Sequence, residues 1–210
     1  FKLQDAVVAR LANSLGYELV KAEAKKSAHS TNPDAIDLTM RGLAVLAQPP
    51  AQEGNLQARS WFEQALRLDP NDADALAGDA MTYLFDYAFG WGEAGTDYDA
   101  KILGQADRAI ALAPNNVRAY AAKSFYLYIS HRPAESLEAA NTGLAINPNF
   151  ASLYAARRGA ELSLGRYEEA KEDIERAMRL SPHDPDIGTW HMYRGDAERG
   201  PGNFDAAIAA

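Results

Sequence analysis

The chain is 210 residues long, 47% hydrophobic and 24% charged, an ordinary balance for a globular protein of one or two domains. Its net charge is −8 and its sequence pI about 5.0, and no Lys/Arg cluster interrupts that acidic balance, which excludes nucleic acid and anionic membrane surfaces as expected partners. It has no cysteine, hence no disulfide and no thiolate metal site, and that count leaves the compartment open.

Val7, Val8, Leu11, Leu15 and Leu19 fall on one stripe and predict a leading helix over 3–24, which Gly16 weakens without ending. The polar run KKSAHST at 25–31 reads as a linker, so 1–31 is one unit and 32–210 another. Asn32–Pro33 predicts a capped helix start. From there helices are expected in pairs. The first is 34–47 with 56–68 across the loop QPPAQEGN, and the second is 73–85 or slightly beyond with 100–112. The third is 117–129 with 134–146, opened by Pro133, and the fourth is 151–164 with 167–180, joined at Gly165–Arg166. A fifth starts at 186–199, and its partner opens at Phe204. No strand-period alternation stands out.

The pairs close alike. LRLDP, IALAP, LAINP and MRLSP end at Pro70, Pro114, Pro148 and Pro182. The last two intervals are 34 residues each; the first is 44, the same period with 10 extra residues around FDYAFGWGEAGTDYD. A small residue precedes each proline by five positions: Ala65, Ala109, Gly143 and Ala177. Apolar residues precede it by four and by two. Proline lacks an amide hydrogen and its ring clashes with the preceding turn, so each second helix stops there. Asn71, Asn115 and Asn149 then stand where a cap for the next helix is wanted. A period of this length means like supersecondary units stacked side by side.

On these residues the chain resembles the tetratricopeptide-repeat family over about 33–210. Gly165, Tyr167, Ala170, Ile174, Ala177 and Pro182 carry the pattern in the fourth unit; Gly195, Gly202, Phe204 and Ala207 carry it in the fifth; Gly42, Ala58, Phe62, Ala65 and Pro70 carry it in the first. The resemblance implies an all-α, right-handed α-solenoid of about five helix pairs behind a leading helix, the last pair truncated. Arg157 and Arg158 depart from the pattern, and a one-residue slip places Gly159 in the small slot and Leu162 in the aromatic one. The opening FKLQDAVVARLANSL, the TMRGLAVLA helix, the two-proline loop and the Trp-bearing insertion are similar to the repeat region of bacterial multidomain signalling proteins. In those, a class III adenylate/guanylate cyclase or a winged-helix DNA-binding domain precedes a TolB-like segment and the repeats. That likeness implies a non-catalytic regulatory or scaffolding module. The alternative is a ligand-sensing or dimerisation module attached to the cyclase or to the winged-helix regulator.

The family likeness implies that each first helix lines a concave face. That puts Asp74, Ala77, Met81, Leu84 and Phe85 on it, then Arg118, Ala121, Phe125, Tyr128 and Ile129, then Thr189, Met192 and Asp196. Met81, Phe85, Phe125, Tyr128 and Met192 would make the groove apolar, with Arg118 as a charged anchor, suited to an amphipathic helix or an extended peptide. The same side chains can instead pack between repeats. Chaperone-binding members grip a C-terminal carboxylate with Lys and Asn; the matching slots here hold Ala77, Met81, Ala121 and Phe125, so that ligand is not expected. Tyr87, Phe89 and Trp91 in the aromatic insertion read either as a contact loop or as a lid burying its own rings.

No cofactor and no metal are expected: His29, His131, His183 and His191 are scattered without a second ligand. Arg157 and Glu161 are expected to pair on a helix surface, in the less favourable order. No Ser–His–Asp set, phosphate loop or nucleophile elbow is present, and GDAERGPGN at 195–203 follows a helix and reads as a turn. The chain itself is therefore expected to be no enzyme, and its partner a protein or peptide, or a second copy meeting incomplete ends. No apolar run approaches about 18 residues and no signal peptide shows, which reads as cytoplasmic. The chain opens on Phe1 and stops at Ala209–Ala210 within a helical pattern, and so reads as a piece of a longer protein.

Overall fold

Each closing proline does end a helix two residues before itself, at Leu68, Leu112, Ile146 and Leu180. The computed structural model describes residues 34–199, which form nine α-helices and one π-helical turn. The expected leading helix, the linker, Asn32–Pro33 and the partner helix at Phe204 lie outside these residues. In chain order the helices are α1 (Ala35–Leu46), α2 (Gln52–Leu68), α3 (Ala73–Phe89), the π turn (Asp99–Leu103), α4 (Gly104–Leu112), α5 (Val117–Ile129), α6 (Pro133–Ile146), α7 (Ala151–Ser163), α8 (Tyr167–Leu180) and α9 (Ile187–Arg199).

The caps sit elsewhere than the asparagines after the prolines suggest. Asp34 opens α1, accepting from the Asp37 amide at 2.9 Å. Asp72, not Asn71, opens α3, its Oδ1 accepting from the Asp74 and Ala75 amides at 3.0 Å each. Asn116, not Asn115, opens α5, accepting from the Ala119 amide at 3.1 Å. Phe150, with no capping side chain, opens α7. The reason is local: Asp69 and Asn147 accept the amides of Asn71 and Asn149, folding the linker into a turn that delays the helix by one residue.

Two helices run past their expected ends. α2 starts at Gln52, inside the expected loop, because Asn55 is a tertiary anchor: its Nδ2 donates to the Thr82 carbonyl and to Asp86 Oδ1, both at 2.8 Å. α3 extends to Phe89 and stops at Gly90, whose φ of 67° is the left-handed conformation a helix C-terminus favours. The insertion then re-enters through the π turn, whose extra backbone width seats Ile102, fully buried, against Leu84 and Tyr126.

Within each pair the two helices pack together, and each second helix packs on the next first helix. The first helices α1, α3, α5 and α7 also pack on one another in turn, whereas consecutive second helices make no comparable contact. An array whose elements touch along one side and part along the other bends toward the touching side, so the first helices line the inside of the curve. The core follows the joints: Phe62 with Leu38, Leu43 and Ala65; Leu76 with Ala106 and Ala119; Leu153 with Ile174, Ala177 and Trp190. Alanine is abundant at these joints, and its small side chain lets helices approach closely.

Candidate binding face on the first helices

The residues expected on the inner face divide by depth. Ala77, Ala121 and Leu84 are buried and belong to the core: Leu84 is sealed against Ile102 and Tyr126, a consequence of the insertion covering it. They offer no surface, which corrects their placement in the groove. Met81 is half-buried, resting on the joints at both ends of α3. Phe125 is half-buried too, packed on the clusters on either side of α5. Tyr128 is half-buried, its ring lying over Gly159, where an added Cβ would stand 2.6 Å from two ring carbons. Met192 on α9 is 58% exposed. Arg118 sits 3.8 Å from Asp74, a long contact between two well-exposed side chains that leaves the guanidinium ready to change partners. Phe85 faces a different space: it lines an open cleft of about 400 Å³ with Val45, Pro49, Pro50 and Gln57 at the first pair. The structure thus places Arg118, Phe125 and Tyr128 on α5, Met81 on the neighbouring first helix α3, Met192 on α9 beyond α7, and Phe85 at the cleft of the first pair.

The aromatic insertion is neither wholly lid nor wholly contact loop. Tyr87 meets Tyr98 edge-on at 5.1 Å and Tyr126 at 5.4 Å, closing over α5. Burial, with Asp99 beside it, pushes the Tyr126 phenol above its ordinary range. Phe89 instead stacks on Trp91 at 4.7 Å and remains 47% exposed, with Phe85 tilted against it at 5.9 Å. The rings split into a packed half and an outward half.

The two arginines that break the repeat pattern have different fates. Arg157 does pair with Glu161, four residues on, but away from the surface and not as its nearest partner. Its Nε and Nη2 bind Asp173 Oδ2 and Oδ1 on α8 at 2.6 and 2.7 Å, and its Nη1 donates to Asn141 Oδ1 on α6 at 2.9 Å. Glu161 stands further off at 3.6 Å and is buried, because α8 closes over that side of α7. Burial, then Asp173, pushes the Glu161 carboxyl up to about 8. Arg158 is fully buried, its guanidinium 3.7 Å from the Tyr193 ring centre and 5.8 Å from that of Tyr128. Burial lowers its pKa, against the opposing pull of the two tyrosines and Asp196. Gly159 is the small residue the slip expects, yet Arg158 stays inside and Leu162 is only half-buried.

A second buried polar group ties α2 to α3. Arg59 Nη2 lies 2.8 Å from Asp86 Oδ2, its Nε donates to Thr82 Oγ1 at 2.9 Å, and its guanidinium covers the Tyr83 ring at 4.0 Å. Nearby, Gln105 donates to Asp79 Oδ2 at 3.0 Å, while Asp79 Oδ1 has no hydrogen-bond partner. Burial lifts the Asp79 carboxyl to about 6, with Arg59 opposing and Glu63 adding to the rise. Arg158, Tyr193, Asp79 and Glu161 were not expected as special sites. A charged residue in a slot meant for a small one was the signal available for Arg158; nothing in the spacing marks Asp79. Among the described residues, no three His, Cys, Asp or Glu side chains converge as a metal-ligand set, and no helix is long and apolar enough to cross a membrane.

Comparison with known proteins agrees with this architecture. The family described as Tetratricopeptide repeat matches residues 160–184. The TPR repeat-containing thioredoxin TDX of Arabidopsis thaliana is 32% identical over 82 residues, 39% of this chain, and the match spans 21% of that relative's length. Among solved structures, a thermophilic TPR protein from Thermus thermophilus superposes with a TM-score of 0.64 at 19% identity, over 83% of this chain and 87% of that one. PilF of Pseudomonas aeruginosa gives 0.59 at 19% identity over 83% and 72%. The human IFIT1 dimer with m7Gppp-AAAA gives 0.67 at 18% identity over 92% and 42%. At these identities the likeness is one of fold.

Proposed function

We propose that residues 34–199 are a tetratricopeptide-repeat domain that holds a segment of another protein along the first helices, without catalysis of its own. The observation that carries this reading is the row Met81, Phe125 and Tyr128 with Arg118, side chains only partly covered, on first helices that pack on one another in turn, with the exposed Met192 on the last described first helix beyond them. A groove of aromatic and Met side chains beside one arginine suits an amphipathic helix or an extended peptide. The net charge of −8 argues for a protein partner over a nucleic acid.

The test is selection of binders from a displayed peptide library. Phe125→Ala with Tyr128→Ala is expected to weaken a selected peptide by tenfold or more, since anchors of this type contribute about 2 kcal/mol or more each. Phe125 also packs on two core clusters, so circular dichroism must accompany the measurement. Met192→Glu is the second variant; its side chain is exposed, and the fold is expected to be unaffected. Peptides that bind both variants as tightly as the parent overturn the groove.

The wider setting we propose is a regulatory module of a bacterial signalling protein, supported by the opening FKLQDAVVARLANSL and the Trp-bearing insertion. Sequencing the gene upstream of Phe1 tests it: a cyclase or winged-helix domain there supports it, and an unrelated domain removes it.

A further inference from the structure

We propose that the cleft at the first pair and the outward rings of the insertion form a second docking surface, which takes a basic segment of another protein carrying one bulky aromatic side chain. This surface does not depend on the row Met81, Phe125 and Tyr128 holding anything. The cleft opens between the ends of α1 and α3 and the start of α2, encloses about 400 Å³, and has Val45, Leu46, Pro49, Pro50 and Phe85 among its walls. None of its lining residues is charged. A space of that size and polarity accepts a ring, and aromatic side chains seated in such pockets carry much of the energy of protein interfaces. The ten residues that lengthen the second unit set a shelf at its mouth. Phe85 is shared between the two: it lines the cleft and tilts against Phe89 at 5.9 Å, and Phe89 stacks on Trp91 at 4.7 Å. Apolar surface therefore runs from the cleft across three rings, the middle one 47% exposed. Tyr87 and Tyr98 of the same insertion pack inward, so the fold buries rings here where it can, and contiguous rings left outside mark a contact surface.

Charge selects the occupant. Residues 85–99 hold Asp86, Glu93, Asp97 and Asp99 and no Lys, Arg or His. Arg59 neutralises Asp86 from within, and Arg132 stands 4.0 Å from Asp99. Glu93 and Asp97 are exposed, and so is Glu53, next to Gly54 in the opposite wall. The first cation after the insertion, Lys101, lies on the Tyr83 ring at 4.9 Å. Negative potential around an exposed Phe–Trp stack attracts Lys and Arg, and a guanidinium gains further from the ring face. A second copy of this acidic chain would meet like charge at the mouth, whereas a basic segment meets opposite charge.

The experiment is fluorescence anisotropy of a labelled, end-blocked peptide, Gly-Arg-Lys-Trp-Arg-Lys-Gly, titrated with the 210-residue chain. One comparison peptide has alanine for the tryptophan; another has Asp and Glu at the four basic positions. The expected result is saturable binding of the first, weakened about tenfold or more by either change. Gly54→Leu fills the cleft from its wall and is expected to weaken the peptide about tenfold or more. A Cβ there meets Val45 Cγ1 at 3.5 Å, an ordinary contact, and leucine is the better helix former, so this variant is expected to melt no lower than the parent. Phe89→Ala, at an exposed position, is expected to weaken the peptide with the fold intact. Glu93→Lys is expected to weaken it and to lessen its dependence on salt. Phe125→Ala with Tyr128→Ala is expected to leave this peptide's affinity unchanged.

Equal affinity for the tryptophan and alanine peptides overturns the surface, as does equal affinity of the parent and Gly54→Leu for the tryptophan peptide. Loss with Phe125→Ala and Tyr128→Ala but not with Gly54→Leu assigns the peptide to the first-helix row and overturns the second surface while the row stands. A parent that takes no peptide at all overturns it too, whether the cleft is held by a second copy, which light scattering shows as a dimer lost in Gly54→Leu, or by residues 1–33 of the same chain.

Discussion

Phe62→Ala is expected to destabilise the array by about 3–5 kcal/mol, the range for deleting a fully buried aromatic side chain. Phe62 is 0% exposed and sits where three helices meet. Its ring is gripped between two glycines on neighbouring first helices: a Cβ at Gly42 would come within 2.5 Å of a ring carbon, and one at Gly78 would overlap the ring as well. Leu38, Leu43, Ala58, Ala65 and Ala75 complete the shell. Two of the walls are therefore backbone, which has no side chain to swing into the vacancy, and the cavity term is at the upper end. In a stacked array the loss falls on one joint, between the first pair and the second, because each unit leans only on its neighbours. Urea unfolding followed by circular dichroism measures the total; amide exchange locates it, with α1 and α2 losing protection before α7 and α8. A loss under about 1 kcal/mol, or one spread evenly along the chain, contradicts this account. Gly42→Ala is expected to act in the same direction, by pushing the same ring out of place.

Phe62 also shows what the sequence discloses and what it withholds. The spacing of Ala58, Phe62, Ala65 and Pro70 marks the helix, its inward stripe and its end, because those depend on period and on the chemistry of proline. α5 and α8 match their predicted bounds for the same reason. What spacing misses is decided by contacts between units. Asn55, read as a loop residue, bonds Thr82 and Asp86 from the next unit and lengthens α2. The caps move from Asn71 and Asn115 to Asp72 and Asn116 because turn hydrogen bonds from Asp69 and within 113–116 claim the residues between. On the first helices, the helical position of Met81, Phe125 and Tyr128 follows from the spacing, but depth does not: the insertion buries Leu84 and leaves Phe89 outside. Arg157 and Arg158 were visible as exceptions to a pattern. That one is satisfied by Asp173 and the other by no hydrogen bond at its Nε–Nη2 edge could be known only once α8 and α9 were in place.

Raising the pH from 5 to 8.5 is expected to destabilise the array, in contrast to proteins whose carboxylates are held by cations. Asp79 and Glu161 are both buried acids whose folded-state pKa values are raised, to about 6 from 3.8 and to about 8 from 4.5. Between the unfolded and folded values the folded chain holds more protons than the unfolded one, so stability falls as pH climbs through that window. For Asp79 the window closes at about 6; for Glu161 it closes at about 8. A pKa unit corresponds to about 1.4 kcal/mol, so Asp79 alone contributes roughly 3 kcal/mol across its full window. Glu161 acts in the same direction, with Arg157 moderating it. Asp79 Oδ1 and Glu161 Oε2 lack hydrogen-bond donors, so each anion is supported at one oxygen only, Asp79 by Gln105 and Glu161 by Arg157 at 3.6 Å, and burial prevails. Urea midpoints at several pH values check the prediction, and the variants separate the two acids: Asp79→Asn flattens the slope only below about pH 6, whereas Glu161→Gln flattens it on both sides of that value. Both side chains project from first helices, so the loosening on ionisation falls beneath the proposed binding face, and peptide affinity is expected to fall in the same pH range. Stability that rises between pH 5 and 8, or slopes unchanged in both variants, would show that these two carboxyls are already served by partners in the folded state.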